Sequence, residues 1–554
     1  MDESTYSTPA DSTLTPSPAD TVSHIRQEPA INFTGEQRKF HRRGSVVDEK
    51  ASICSRPTHH PHHTHLLRRV DIRLVPILSL LYLLCFLCRQ NIGNAKTYHL
   101  MEDLHMSDKH YTLALTVFFF TYSTFDIPSN MLLKLLRPNV WLPLVTLASG
   151  IVTVGMGMSQ TGDGLIIARL FLGMTECGLF PGVAYVITLW YRKKEAQFRQ
   201  ALFFCAASMA GAFAGLLAVG LAKMDGLGGL EGWRWIMIVE GLVTVVVAVA
   251  AFWLVLDVPA RTTFLSEEEK ELLLHRLSVD EFGEEEALLT PAEQERIHAE
   301  IPKTWLFKQV LTDYHLPLHI FVFLGITCPL YSISLCLPTI IMELGYNKTE
   351  ANFLTVPIYI SACILSLITA FVSDRIGIRA PFLAASYVVM FIGFLIAAVA
   401  PKAAYAGVFI ASCGLYPAFP GALTWCANNL ASAKKRSFAM AVYIGCGSLG
   451  GAMGANFYRK EDQPRFLLGH LLNLGFVSLG MVSGVVLYWR YVVENRQRDA
   501  EKARLTEEME KDAEEGQRVG GDEEEGCRRH GFLVRKEEQL ARDGDRSVWF
   551  TYVL

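Results

Sequence analysis

Charge is scarce in this sequence. Asp, Glu, Lys and Arg make up 19% of its 554 residues, against about 25% in an ordinary soluble chain. The net charge is −4 and no lysine- or arginine-rich stripe occurs, which argues against a nucleic-acid binder. No nucleotide loop or metal cluster is visible, so an enzyme is the least supported class and no cofactor is expected. The opening Ser, Thr, Pro and Asp residues do not form a secretory signal, and an N-terminus that stays in the cytosol is expected. The twelve cysteines are no disulfide framework. Ten of them, including Cys85, Cys88, Cys177 and Cys426, lie in apolar runs and read as small hydrophobes. Cys85 and Cys88 form a C-x-x-C without further ligands, and His59 to His65 is a histidine run without a second ligand cluster. Neither predicts a metal site.

What is present is apolar surface: 51% of residues are hydrophobic, and they crowd between two polar ends. Twelve segments are long enough for a membrane helix of about 20 residues. Six lie at 72–92, 111–133, 140–159, 163–190, 200–222 and 236–256. Six more lie at 316–342, 352–373, 380–399, 403–425, 437–457 and 468–490. The expected fold is an all-α membrane protein with twelve transmembrane helices in two six-helix, pseudo-symmetric halves. Its expected divisions are a disordered cytosolic tail (1–65), a first bundle (66–257), a cytosolic central loop (258–315), a second bundle (316–492) and a charged cytosolic tail (493–554). Within the central loop, Ser266 and Glu269 have capping-box spacing before Leu272–Leu274, which predicts a short helix in a solvated linker. In the first tail, Arg42-Arg43-Gly44-Ser45 has the form of a basophilic kinase site.

Basic residues set the orientation. They gather before the first segment (Arg68, Arg69, Arg73) and in alternate connections (Lys134 and Arg137; Arg192 to Arg199; Arg375 and Arg379; Lys434 to Arg436). Both termini are therefore expected in the cytosol. The sequon Asn347-Lys348-Thr349 falls in an outer loop too near the membrane to be used.

The halves echo each other. Segment four carries Leu179-Phe180-Pro181-Gly182, and segment ten Leu415-Tyr416-Pro417 and Phe419-Pro420-Gly421. Segment five carries Gly211 and Gly215, and segment eleven Gly447, Gly450, Gly451 and Gly454. Small residues at helical spacing let helices approach closely in lipid. A duplicated six-helix unit marks a secondary transporter that rocks two halves about a central site.

A charge in a membrane helix is costly unless it faces a cavity or a partner, so each one is a functional candidate. The first half holds Arg89, Asp126, Arg169, Glu176 and Glu240. Arg169, Gly173 and Glu176 share one helical face, which suggests an anion-binding arginine beside a proton-binding carboxylate, or else a structural ion pair. Arg89, followed by Asn91, is either a second anion contact or an interfacial arginine snorkelling outward. Asp126 with Lys134 reads as a gate or hinge.

Several stretches together resemble one family: Phe86 to Ala95, Ala114 to Phe119, Asp126 to Asn130, Arg169 to Gly182, Gly232 to Trp235, Leu337 to Ile341 and Ala427 to Ala431. Over residues 66–495 the chain is similar to the major facilitator superfamily, and within it to the fungal allantoate permease branch of the anion:cation symporters. The resemblance implies proton-coupled uptake, driven by the proton gradient, of a small organic anion such as a vitamin, ureide, amino acid or peptide. It implies a plasma-membrane monomer working in the lipid bilayer. Substrate contacts are expected from Arg89, Asn91, Arg169, Tyr331, Tyr416, Asn428 and Asn429, and proton coupling from Glu176. Gating is expected from Asp126, Asp374, Arg375 and Arg379, with Asp374 and Arg375 in the superfamily's loop motif. The branch often has an acidic residue just before the helix-one arginine, where this chain has Cys88. An efflux antiporter on the same fold is the alternative, though segment five lacks the glycine–proline signature of drug antiporters. A non-transporting sensor is a third class.

Overall fold

The structure, a computed structural model, describes residues 61–282, 309–310, 312–430, 433–517 and 552–553. Ser45 and the start of the histidine run lie outside this set, as does the side chain of Lys134. The described residues form helices joined by turns and loops, with no strand among them. Twelve long helices carry the membrane part. In the first half they are α1 (Pro61–Thr97), α2 (Asp108–Leu136), α3 (Pro138–Gly157), α4 (Gly162–Trp190), α5 (Lys193–Leu221) and α6 (Gly232–Leu254). In the second they are α7 (His315–Glu343), α8 (Lys348–Ile376), α9 (Ala380–Val399), α10 (Ala404–Asn428), α11 (Ala433–Gly454) and α12 (Leu467–Gln517). Among the described residues, all but α2 and α11 contain a stretch long and apolar enough to cross a membrane by length and composition, and the apolar part of α11, Phe438–Gly454, is shorter.

Helices α2 and α11 pack on each other across the halves, as do α5 and α8. They bury glycine and hydroxyl groups in that contact. Ser123 donates to the Gly445 carbonyl at 2.7 Å, and a Cβ on Gly451 would meet the Phe119 ring at 2.3 Å. On the α5–α8 side, a Cβ on Gly211 would meet the Tyr359 ring at 2.6 Å. Helices two and five of one half thus pair with helices five and two of the other, the relation that a two-fold repeat of a six-helix unit generates.

The helix from Glu267 to Phe282 has the expected capping box: Ser266 N–H to Glu269 at 3.0 Å and Glu269 N–H to Ser266 at 3.2 Å. It is not a free linker element. Arg69 of α1 binds Glu269 at 2.6 Å, Arg276 pairs with Glu195 of α5, and Leu273 is buried. Leu273 turns into the core while Leu274 stays exposed, so the helix docks by one apolar face. We call the side of the bundle bearing this helix the linker face. Asn347 of the sequon caps α8, accepting from Glu350 N–H at 2.9 Å.

Candidate substrate and proton site

Close backbone approaches position the site. Helix α4 lies against α2 at Gly173, where a Cβ would come within 2.2 Å of Thr121 Oγ1 and 2.3 Å of the Phe118 carbonyl. Helix α1 lies against α7 at Gly93, where a Cβ would come within 2.6 Å of the Leu335 carbonyl. Side chains of α1, α4 and α7 therefore meet near mid-span. Arg89 donates from Nε (3.1 Å) and NH2 (3.0 Å) to Glu176 Oε2, and from NH1 to the Tyr331 hydroxyl of the second half at 3.1 Å. Arg89 is 4% exposed and Glu176 1%. The rings of Tyr122, Phe118 and Phe86 surround the guanidinium at 4.8, 5.2 and 5.7 Å, so their faces add cation–π attraction in a dry setting.

Unused polar atoms sit beside this pair. Glu176 Oε1 has no hydrogen-bond partner among the described residues, nor do Arg169 Nε and NH2. Arg169 NH1 reaches the Arg89 carbonyl at 3.3 Å. Glu176 bonds to Arg89 and not to Arg169, whose Nε and NH2 keep donors to spare among the described residues. Arg89 turns inward and does not snorkel. Asn91 is buried beside it in sequence, accepting from Asn94 at 3.3 Å while its own Nδ2 is unpartnered among the described residues. Tyr416 is buried on α10 with its hydroxyl 3.5 Å from Ser334.

Asn428 and Asn429 are not brought to this centre. They lie at the linker-face end of α10, about 18 Å along the helix from Tyr416, and Asn429 is held by the backbone of Val553. Asp126 is buried where α2 meets α11, accepting from Asn130 at 3.4 Å. Asp374 joins the halves: it accepts from Phe198 N–H of α5 at 2.8 Å and from Arg379 at 2.5 Å. Arg375 lies over Phe371 of its own helix at 4.5 Å.

Layers of contact close the centre toward both faces. Toward the linker face, Phe204 of α5 stacks on Phe419 of α10 at 4.1 Å, and Thr424 donates to Gln200 at 3.1 Å. Toward the opposite face, Phe119 packs on Tyr331 at 4.7 Å and Asn456 donates to Thr116 at 3.1 Å. The arrangement is occluded. Sequence reasoning missed the cage residues Tyr122 and Phe118, which read as ordinary apolar positions; their one signal was an i, i+4 aromatic spacing on a helix that also carries Asp126. It also gave no role to Glu240, buried on α6 with neither oxygen partnered among the described residues.

Two pseudo-symmetric six-helix halves around a buried charged centre match a known architecture. The family model described as Major Facilitator Superfamily matches residues 78–455, well over half of the chain. The chain belongs to the Major Facilitator Superfamily. It is a transporter, not an enzyme. Among curated relatives of this superfamily member, the MFS transporter prlL of a fungal species is 33% identical over 78% of this chain and 87% of its own length. The MFS-type transporter cnsO of Penicillium expansum is 32% identical over 80% of this chain and 88% of its own. The high-affinity nicotinic acid transporter of Saccharomyces cerevisiae is 30% identical over 80% of both chains. A crystal structure of a bacterial homolog of the human lysosomal transporter Spinster, inward-facing and unoccupied, has a TM-score of 0.55 at 15% identity, covering 77% of this chain and 97% of that one. This likeness concerns the fold.

Proposed function

We propose that this transporter takes up a small organic anion together with a proton, as a plasma-membrane monomer of the allantoate permease branch with both termini in the cytosol. The observation that carries the reading is the buried Arg89–Glu176 pair with an unpartnered carboxylate oxygen on one side and the spare donors of Arg169 on the other. The relative named as a nicotinic acid transporter supports a carboxylate as cargo.

The coupling follows from charge. An arriving carboxylate is drawn to the open N–H groups of Arg169 and competes with Glu176 for Arg89. A planar guanidinium can hold a carboxylate through two parallel hydrogen bonds. Glu176, displaced from Arg89, would be a buried anion without a counter-charge, which is costly enough that it takes a proton instead. Substrate and proton thus enter as a neutral sum, and the net charge of the centre is the same empty or loaded. The loaded centre can then cross the occluded state. Tyr331 reports occupancy to the second half, because its hydroxyl binds Arg89 directly. Asp374 latches the linker face until the halves rock.

The test is a panel of labelled vitamins, ureides, amino acids and small peptides offered to yeast cells lacking their own permeases and expressing this chain. Accumulation of at least one carboxylate, faster at acid external pH and lost with a protonophore, is the expected result. Exit of an internal metabolite with no uptake would assign the chain to efflux instead.

A further inference from the structure

Tyr552 and Val553 are remote in sequence from the membrane helices, yet their backbone is gripped on the linker face of the second half. Asn495 of α12 donates to the Tyr552 carbonyl at 2.9 Å and accepts from its N–H at 2.9 Å. Asn429, just past α10, accepts from the Val553 N–H at 2.6 Å and donates to its carbonyl at 3.1 Å. Trp425 Nε1 donates to the same carbonyl at 2.9 Å. Two side-chain amides therefore each offer one residue's backbone a paired donor and acceptor. The Tyr552 ring stacks on Tyr491 at 4.2 Å, lies under the Arg498 guanidinium at 4.5 Å and is 3% exposed.

What this slot holds is the part of the second half best placed to move. Helix α10 contains Pro417 and Pro420. Each lacks an N–H to donate and crowds the preceding turn, so the helix is weakened there. Residues 420–428, from the second proline onward, contribute Thr424 to the bridge to Gln200 of the first half. Trp425 and Asn429, on that same end, are the residues that bind Val553. Asn495 and Arg498 belong to α12, which packs on α7 and α9 within its own half. The matching helix of the first half, α4, is interrupted at Cys177 and Gly178, so both helices that flank the linker-face closure have a weak point at comparable depth. In the second half, the bridge made by Tyr552 and Val553 ties the far side of that weak point to the fixed helix α12.

We propose that the segment Tyr552–Val553 is an intramolecular strap, bound in a slot between α10 and α12. It holds residues 420–428 closed, and opening toward the linker face requires its release. The slot accepts an aromatic–aliphatic dipeptide: one flat ring between Tyr491 and Arg498, and two peptide groups between Asn495, Asn429 and Trp425. The inference is independent of the substrate, the coupling ion and the direction of transport.

The native Cys426, fully buried on the strapped end of α10, provides the readout. In the full-length purified chain, the rate at which a maleimide modifies Cys426 is followed by mass spectrometry, with Cys328 of α7, equally buried, as the internal reference. Tyr552→Ala and Asn495→Ala should each raise the Cys426 rate about tenfold, the change that about 1.4 kcal/mol of lost binding produces, and leave Cys328 unchanged. Tyr552→Phe, which keeps the stacked ring, should stay near the wild-type rate. An unchanged Cys426 rate in either alanine variant overturns the strap, and so does a parallel rise at Cys328, which would report general loosening. Because no substrate enters the assay, its failure leaves the uptake reading standing, and failure of the uptake panel leaves the strap standing.

Discussion

Arg89 holds Glu176 by two nitrogens on a single carboxylate oxygen, at 3.1 and 3.0 Å, and leaves the other oxygen bare. The pair joins α1 to α4 across 87 residues of chain, and both side chains are buried. Removing one member of such a pair strands a buried charge, at a cost of about 3–5 kcal/mol. Arg89→Ala should therefore lower the thermal stability of the purified protein as well as abolish transport. Glu176→Gln keeps the shape but strands the Arg89 guanidinium, which cannot shed its proton, so it should lose stability as well. Melting curves of the two variants in detergent, compared with wild type, check both losses.

Arg169 is the arginine with donors to spare. Arg169→Ala should reduce uptake about hundredfold or more in protein that still reaches the cell surface, as expected when a buried charged contact to a ligand is truncated. Arg169→Lys should fail nearly as badly, because a point charge cannot make the planar two-bond contact. Uptake and surface labelling measured on the same cells separate lost binding from lost protein.

Two glycines near the helix interruptions should behave oppositely. A Cβ on Gly178 would lie 2.0 Å from Ser129 Oγ and 2.8 Å from Trp141 Nε1, whereas one on Gly421 would meet nothing within 4 Å. Gly178→Ala should cost about 1–3 kcal/mol through overpacking, and Ser129→Gly should recover part of it. Gly421→Ala should be neutral or slightly stabilising, since alanine favours a helix interior. Thermal unfolding of the three variants is the measurement.

Asp374 accepts from the Phe198 amide of the other half and from Arg379 of its own. Asp374→Asn keeps the size but replaces one acceptor with a donor, which faces the Phe198 N–H or the Arg379 guanidinium. Closure at the linker face should weaken, and a cysteine placed at Gln200 should become more reactive toward an impermeant thiol reagent. A reagent rate equal to that of the cysteine control without the Asp374 change would deny the latch.

Much of the fold was legible because lipid imposes a simple rule: apolar runs of helix length become membrane helices. The twelve segments fall on the twelve helices, and the repeated proline–glycine patterns of α4 and α10 fall on corresponding helices. Arg89, Arg169 and Glu176 stood out singly, since a charge among apolar residues is conspicuous. Their pairing was not legible. Arg169 and Glu176 share a face, but it is the backbone contact at Gly173 and the approach of α1 that hand Glu176 to Arg89, and such long-range packing leaves no local signature. Asn429 misled for a related reason. The family resemblance implied cavity lining there, whereas its partner, Val553, lies 124 residues away. The linker helix was visible as a capped helix, but its docking through Arg69 and Glu195 depends on charges in other segments.

In the proposed cycle, proton uptake by Glu176 accompanies anion capture by Arg169 and Arg89. Its sign is definite: the protonated carboxyl belongs to the loaded state, so lower external pH favours loading, and a glutamine at this position removes that dependence. The direct measurement uses the purified protein in liposomes, with a carboxylate shown to enter cells, an inward proton gradient and a pH dye in the lumen. Wild type should accumulate the anion with simultaneous lumenal acidification, while Glu176→Gln should exchange it across the membrane without accumulation or acidification. Gradient-driven accumulation that persists in Glu176→Gln would contradict the account.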